Sequence, residues 1–154
     1  MEVAAGEPAT VLGSPRPSSA RRATRIAVSE DARTAIVGLL EGLEPRIEAH
    51  FNRALDGFEA PQFLRYGPGD YFVAHQDGNT PLVHDESRFR KVSVVIFVSA
   101  PDAYSGGSLV LHAEPPVTLA PAPGTLVAFP SETTHEVLPV TLGERLSIVS
   151  WYRG

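Results

Sequence analysis

His75-Gln76-Asp77, His135 and Arg145 are the residues of this chain whose types and spacing could do chemistry. Two imidazoles and one carboxylate suit an octahedral metal held on one face with three positions left open, and iron(II) held in that way can bind oxygen. Arg145 follows His135 by ten residues. Its planar guanidinium can receive the far carboxylate of a dicarboxylic cosubstrate through two parallel hydrogen bonds. An open iron beside a carboxylate fork points to 2-oxoglutarate.

Two further pairs compete for the metal, His84-Asp85-Glu86 and His112-Ala113-Glu114. Context separates them from His75 and Asp77, which close the aromatic strand-like run Tyr71-Phe72-Val73-Ala74 and lead into Gly78-Asn79, the kind of element end at which ligands sit. His84 and Glu86 lie in a polar stretch that reads as a solvated loop. His112 and Glu114 precede Pro115-Pro116, which ends a strand, so a structural or exposed role is expected there. Arg88, Arg90 and Lys91 read as a solvated cluster.

Several pieces occur in order over residues 62–153: Tyr66-Gly67-Pro68-Gly69-Asp70-Tyr71, His75-Gln76-Asp77, Gly106-Gly107-Ser108-Leu109, Phe129-Pro130, His135-Glu136-Val137 and Gly143-Glu144-Arg145-Leu146-Ser147 through Trp151. Together they resemble the catalytic core of the prolyl 4-hydroxylase-like 2-oxoglutarate/Fe(II) dioxygenases. The resemblance implies that His75, Asp77 and His135 hold Fe(II). It implies that Arg145 receives the C5 carboxylate of 2-oxoglutarate, with Tyr66 as the matching hydroxyl donor. O2 would be the second cosubstrate, ascorbate can serve as reductant, and the expected products are succinate, carbon dioxide and a hydroxylated substrate. The strictest prolyl hydroxylase pattern has a tyrosine three residues before the first ligand, whereas Tyr71 here stands four before His75. The substrate is accordingly left open among a peptide, a protein side chain such as prolyl, and a small amino-acid-like molecule.

The elements that must position these residues follow from length and periodicity. A chain of 154 residues with 43% hydrophobic content suffices for one core and is short for two domains. With no cysteine, disulfides and thiolate metal sites are both excluded, leaving histidine and carboxylate as ligands. No apolar run is long enough to cross a bilayer and no apolar leader core is present, so a cytoplasmic protein without membrane association is expected. The net charge of −5 argues against a nucleic-acid partner. The enzyme alternative, a nucleic-acid demethylating dioxygenase, would need a second arginine six residues after Arg145, where Trp151 stands. A non-catalytic metal-binding module of the cupin type is the alternative outside enzymology. Nothing in the chain fixes the oligomeric state.

Residues 1–25 are rich in Pro, Ser and Arg and poor in large apolar groups, which predicts a mobile tail before a domain at 26–154. Ser29 can cap a helix over 30–43, where apolar residues recur at helical spacing. Pro45 would open a second helix that Gly57 stops. From Gln62 the period changes to two. Short strands are expected at 63–66, 71–75, 91–99, 108–112, 117–119, 126–129, 135–140 and 145–152, with a type II turn at 122–125 and a tight connection at 141–144. The fold class expected is mainly β, a double-stranded β-helix (jelly roll, cupin-like) flanked by two N-terminal helices.

In the last strand Arg145, Ser147, Val149 and Trp151 share one face. Arg145 and Ser147 therefore point together, which makes Ser147 a candidate for cosubstrate binding. A charge facing the interior of a small barrel requires an anionic partner, and 2-oxoglutarate supplies one. Val95 and Phe97 lie on opposite faces to Val94 and Ile96 and could wall its pocket, although core packing explains them equally well. Gly106-Gly107 can be a turn alone, whereas the resemblance implies that the pair starts a strand close to the site, where absent side chains leave room. The polar connection from Gly78 to Arg90 is long enough to act as a substrate lid.

Overall fold

The fold, seen in a computed structural model, is described here for residues 7–8, 20–79 and 85–154. Its elements in chain order are β1 (Glu7–Pro8), β2 (Arg21–Arg22), β3 (Thr24–Arg25), α1 (Glu30–Phe51), β4 (Gln62–Tyr66), β5 (Tyr71–His75), β6 (Arg90–Phe97), β7 (Tyr104–Gly106), β8 (Leu109–Leu111), β9 (Val117–Leu119), β10 (Leu126–Pro130), β11 (His135–Val137), β12 (Val140–Gly143) and β13 (Arg145–Arg153). A six-stranded sheet runs β1-β3-β4-β13-β6-β10, and a five-stranded sheet runs β2-β5-β11-β8-β9. Every pairing is antiparallel. Leu64, Tyr66, Val95 and Phe97 from the larger sheet form one core cluster with Leu109 and Val137 from the smaller. This is the expected mainly β double-stranded β-helix.

Among the described residues one α-helix, not two, covers the larger sheet. The serine cap holds as expected, with Ser29 Oγ accepting from Ala32 N at 3.1 Å and Glu30 and Asp31 in the first turn. Pro45 does not end the helix, which continues to Phe51. The reason lies in the buried stripe: Ile36, Leu40, Leu43, Ile47 and Phe51 keep one face across the proline, and all pack with Val92, Val94 and Tyr152 of the sheet. A proline inside a helix costs about 3 kcal/mol. Full burial of each large aliphatic or aromatic side chain returns roughly 1.5–3 kcal/mol, so the residues beyond Pro45 outweigh it. Pro45 itself is exposed, where the carbonyl freed by its missing N–H can meet water. Within the stripe the Tyr152 hydroxyl donates to Leu40 O at 2.7 Å, and burial ahead of the nearby Glu44 charge pushes that phenol up to about 12.

Other boundaries move for local reasons. The strand expected over 135–140 is divided at Leu138-Pro139 into β11 and β12. Pro139 has no N–H for a ladder, and past it the chain leaves the five-stranded sheet to pair with β7. The tight connection expected at 141–144 is mostly β12 itself, joined to β13 through Glu144. The turn at 122–125 closes as expected, with Thr125 N donating to Ala122 O at 3.2 Å. Strands β2 and β3 lie inside the segment read as a tail, and β2 pairs with β5, the strand that carries His75. Residues 1–6, 9–19 and 80–84 lie outside the described residues, and with them most of the tail, His84 and the centre of the connection read as a lid.

Just past the end of α1 the chain is tied to β6 and to the turn that leads into β11. Arg53 makes a fork with both carboxylate oxygens of Glu132 and donates to Lys91 O at 2.7 Å. The guanidinium, outweighing partial burial, lowers the Glu132 carboxyl from 4.5 to about 2, with Asn79 contributing. A carboxyl depressed on folding adds stability above its unfolded value, and that stability is lost as pH falls from about 4.5 through 2. In Glu132→Gln the melting temperature should therefore fall less steeply over this interval than in the parent, measured by circular dichroism. Equal slopes would remove this pair as a source of acid lability.

Candidate metal and cosubstrate site

The register of the smaller sheet sets the two histidines side by side. His135 of β11 pairs directly with His75 of β5, and their rings lie 4.2 Å apart. Each ring is oriented by its own strand: His75 Nδ1 lies 2.7 Å from Val73 O and His135 Nδ1 lies 2.8 Å from Thr133 O. A carbonyl can only accept, so both Nδ1 atoms carry the proton and both Nε2 atoms turn outward. Phe72 stacks on the His75 ring at 3.5 Å, and Phe129 meets the His135 ring edge-on at 4.7 Å.

Both Nε2 atoms approach one oxygen, Asp77 Oδ1, at 3.1 Å from His75 and 3.4 Å from His135. Three electron-pair donors aimed at one point repel unless a cation lies among them. Burial by itself raises the Asp77 carboxyl, but the bonds to His135 and His75 outweigh it and hold the group well below the usual carboxylate range. Burial likewise opposes charge on His135, yet the bond to Asp77 raises it above the ordinary imidazole value. A proton can satisfy that demand. A metal satisfies it better, because two donors each about 2.1 Å from one ion and at right angles to each other stand about 3 Å apart. The donor set of two imidazoles and a carboxylate fits iron(II). Among the described residues this is the one His/Asp/Glu group arranged to hold a metal.

Asp77 is placed by the chain behind it. The N–H groups of Asp77 and Gly78 both donate to Ser131 O, at 2.9 and 3.1 Å. Gly78 is required there, since a Cβ would lie 1.9 Å from Ser87 O. His112, a rival in sequence, pairs at 3.1 Å with Glu136 on the surface and lies away from the site. Glu86, the partner offered by the other rival, is exposed and bonded to Arg153.

A cleft beside the triad is lined by Tyr66, Val95, Arg145, Ser147, Val149 and Trp151, among others. Arg145 is 2% exposed. Its Nη1 donates to Ser147 Oγ at 3.3 Å, its guanidinium lies 5.1 Å from the Tyr66 ring and 5.2 Å from the Phe97 ring, and Nε has no partner. Burial lowers its affinity for the proton, partly offset by Tyr66 and Tyr104. Gly107 gives it room: a Cβ at that position would meet Val140 Cγ2 at 2.8 Å and Arg145 Cδ at 3.3 Å. Tyr66 faces Arg145 directly across the β4–β13 pair. All six residues expected at the site from sequence therefore meet in one cleft.

The chain belongs to the 2OG-Fe(II) oxygenase superfamily. The family match covers residues 61–153, which contains the whole triad and Arg145. A PKHD-type hydroxylase of Shewanella sp. (strain MR-7) is 37% identical over 97 residues, 61% of this chain and 42% of that protein. A PKHD-type hydroxylase of Stenotrophomonas maltophilia is 39% identical over 95 residues, 59% of this chain and 41% of its own length. The chain thus spans about two-fifths of the curated relatives it matches. Among solved structures, a Pseudomonas putida prolyl-4-hydroxylase is similar with a TM-score of 0.76 and 28% identity, covering 97% of this chain and 78% of that one. A viral collagen prolyl hydroxylase of Paramecium Bursaria Chlorella virus-1, at 23% identity and a TM-score of 0.69 over 88% of this chain and 80% of its own, shares the fold.

One reading within this superfamily core needs correction, and several neighbours of the site were not anticipated. Arg90, taken with Arg88 and Lys91 for a solvated cluster, is 7% exposed. It forms a fork with Glu59 at 2.7 and 2.9 Å, lies 3.8 Å over the Trp151 ring, and donates to Asp77 O at 3.3 Å. Strand geometry turns Arg90 inward at the start of β6, which a charge run in sequence does not reveal. Arg21, Phe72, Ser93 and Leu109 also line the cleft. Arg21 lies 4.9 Å over the Phe72 ring and so extends the Phe72–His75 stack.

Proposed function

We propose that this chain is the catalytic core of a 2-oxoglutarate- and Fe(II)-dependent dioxygenase that hydroxylates a peptidyl substrate, prolyl included, or a small amino-acid-like molecule. The observation that carries this reading is the convergence of the two histidine Nε2 atoms on one carboxylate oxygen beside a buried arginine that bonds Ser147 and has an unpartnered Nε. His75, Asp77 and His135 would hold the iron. Arg145 and Ser147 would receive the C5 carboxylate of 2-oxoglutarate, with the Tyr66 hydroxyl as a further donor.

Iron, when bound with 2-oxoglutarate and O2, supplies oxidative decarboxylation to succinate and carbon dioxide coupled to insertion of one oxygen atom into a substrate C–H bond; ascorbate can act as reductant. The chain's own part is placement. The Nδ1 contacts fix both imidazoles in the ligating tautomer. Val95, Val149 and Trp151 wall the cleft with apolar surface, which strengthens the attraction between Arg145 and a carboxylate by keeping water away. A peptidyl substrate is supported by the likeness to the Pseudomonas putida prolyl-4-hydroxylase across nearly the whole chain. Nucleic acid is disfavoured by the net charge of −5 and by Trp151, which stacks on Arg90 and stands where the nucleic-acid demethylating pattern has its second arginine.

Anaerobic titration tests the reading. Fe(II) followed by 2-oxoglutarate should give a metal-to-cosubstrate charge-transfer band, and admission of oxygen should then yield succinate, with a one-oxygen mass gain on a proline-containing peptide or a free amino acid. Iron binding without that band would make the chain a metal-holding cupin-type module instead.

A further inference from the structure

We propose that Ser93, seated by Ser131, is a positioning residue that holds Asp77 to one-oxygen ligation and so keeps a coordination position open at the metal. The inference rests on the metal site proposed above and adds a residue to it from a different strand.

Ser93 stands where its strand calls for an apolar group. It shares the inward face of β6 with Val95 and Phe97, is paired with Phe129 of β10 and Trp151 of β13, and is 1% exposed. A hydroxyl buried among such neighbours needs a partner. It has two: Ser93 Oγ donates to Asp77 Oδ2 at 2.6 Å and lies 3.0 Å from Ser131 Oγ. An ionised carboxylate only accepts, so the Ser93 proton is committed to Asp77. The second contact must then run from Ser131 Oγ–H to Ser93 Oγ. The result is a directed chain, Ser131 to Ser93 to Asp77, whose last bond is short and charge-assisted. Ser131 is fully buried, and its carbonyl already accepts from the Asp77 and Gly78 N–H groups.

Asp77 is therefore gripped at its N–H by Ser131, at its carbonyl by Arg90 and at Oδ2 by Ser93. Only Oδ1 faces the two Nε2 atoms. A carboxylate free to turn can chelate a cation through both oxygens, which would fill one of the three positions that a two-histidine, one-carboxylate set leaves open. With Oδ2 occupied by a hydroxyl, that rotation is blocked. A buried serine that merely satisfied itself would have no bearing on the metal.

Co(II), an air-stable probe with visible absorption, tests this on the full chain. The parent should bind one Co(II), and His135→Ala should bind none. Ser93→Ala should bind about 10- to 100-fold more weakly, the range for loss of a hydrogen-bonding partner behind a metal ligand, with an altered Co(II) spectrum. Ser93→Thr, which keeps the hydroxyl, should stay near the parent in both. Parental affinity and spectrum in Ser93→Ala would overturn the proposal, and so would equal loss in Ser93→Ala and Ser93→Thr, which would assign the effect to packing. Failure of the parent to bind Co(II) would instead remove the metal reading, and this proposal with it. Should Ser93→Ala not fold by circular dichroism, Ser131→Ala carries the test: it keeps Ser93 but frees its hydroxyl to rotate, so weakened Co(II) binding supports the proposal and parental binding refutes it.

Discussion

His135→Ala is expected to lose Fe(II) binding and to reduce succinate formation to background while retaining the fold. His135 and His75 are paired across one antiparallel ladder, so each Nε2 is fixed relative to the other by backbone rather than by a loop. Removing one leaves an imidazole and a single carboxylate oxygen, too few donors to hold an exchangeable divalent ion against water. The fold should survive because the core clusters are built from Leu64, Phe97, Leu109 and Val137 inside the sheets and from Leu40, Ile47, Val92 and Tyr152 beneath the helix. His135 contributes contact with Phe129, and its truncation costs packing there. A control is available in His112→Ala, whose exposed pair with Glu136 lies off the site and should leave iron binding intact. Binding is read by anaerobic titration and folding by circular dichroism. A His135→Ala protein with parental iron-dependent turnover would show that the metal is held elsewhere.

The candidate site was legible in the sequence because metal chemistry constrains residue type and order. His75, Asp77, His135 and Arg145 stand out from rivals by lying at strand ends or on a strict two-residue period, and the antiparallel pairing of β5 with β11 and of β4 with β13 then brings them together. Their supports were not legible to the same degree. Ser93 reaches Asp77 across sixteen residues, and Arg90 reaches Glu59 across thirty-one. No spacing rule links such pairs, although a lone serine on the Val95-Phe97 face was a signal that could have been read. Arg90 was misread because neighbouring charges in sequence look like a solvated run, while a strand sends alternate ones to opposite faces. Pro45 misled for the complementary reason. Its local cost is real, but the apolar stripe from Ile36 to Phe51 is a property of the whole helix and prevails over it.

Arg145→Ala separates cosubstrate from metal. Arg145 is buried to 2% exposure between the Tyr66 and Phe97 rings, with a 3.3 Å hydrogen bond to Ser147, Tyr104 beside it and no partner at Nε. A cation so placed is expensive on its own and becomes favourable when a carboxylate joins it. Loss of one partner of such a buried pair costs on the order of 2–5 kcal/mol, so 2-oxoglutarate affinity should fall by roughly 30-fold or more, while Fe(II) affinity changes little. Arg145→Lys should recover only part of the loss, because an ammonium keeps the charge but not the planar fork. The same reasoning predicts an opposite effect on stability. Arg145→Met removes the uncompensated charge while filling most of its volume, so the cosubstrate-free protein should melt at an equal or higher temperature than the parent, and added 2-oxoglutarate should raise the melting temperature of the parent alone. Cosubstrate titration by calorimetry together with paired thermal melts reads both effects. Parental 2-oxoglutarate affinity in Arg145→Ala would take Arg145 out of the site, and a large destabilisation in Arg145→Met would mean that the arginine holds the barrel together rather than waiting for an anion.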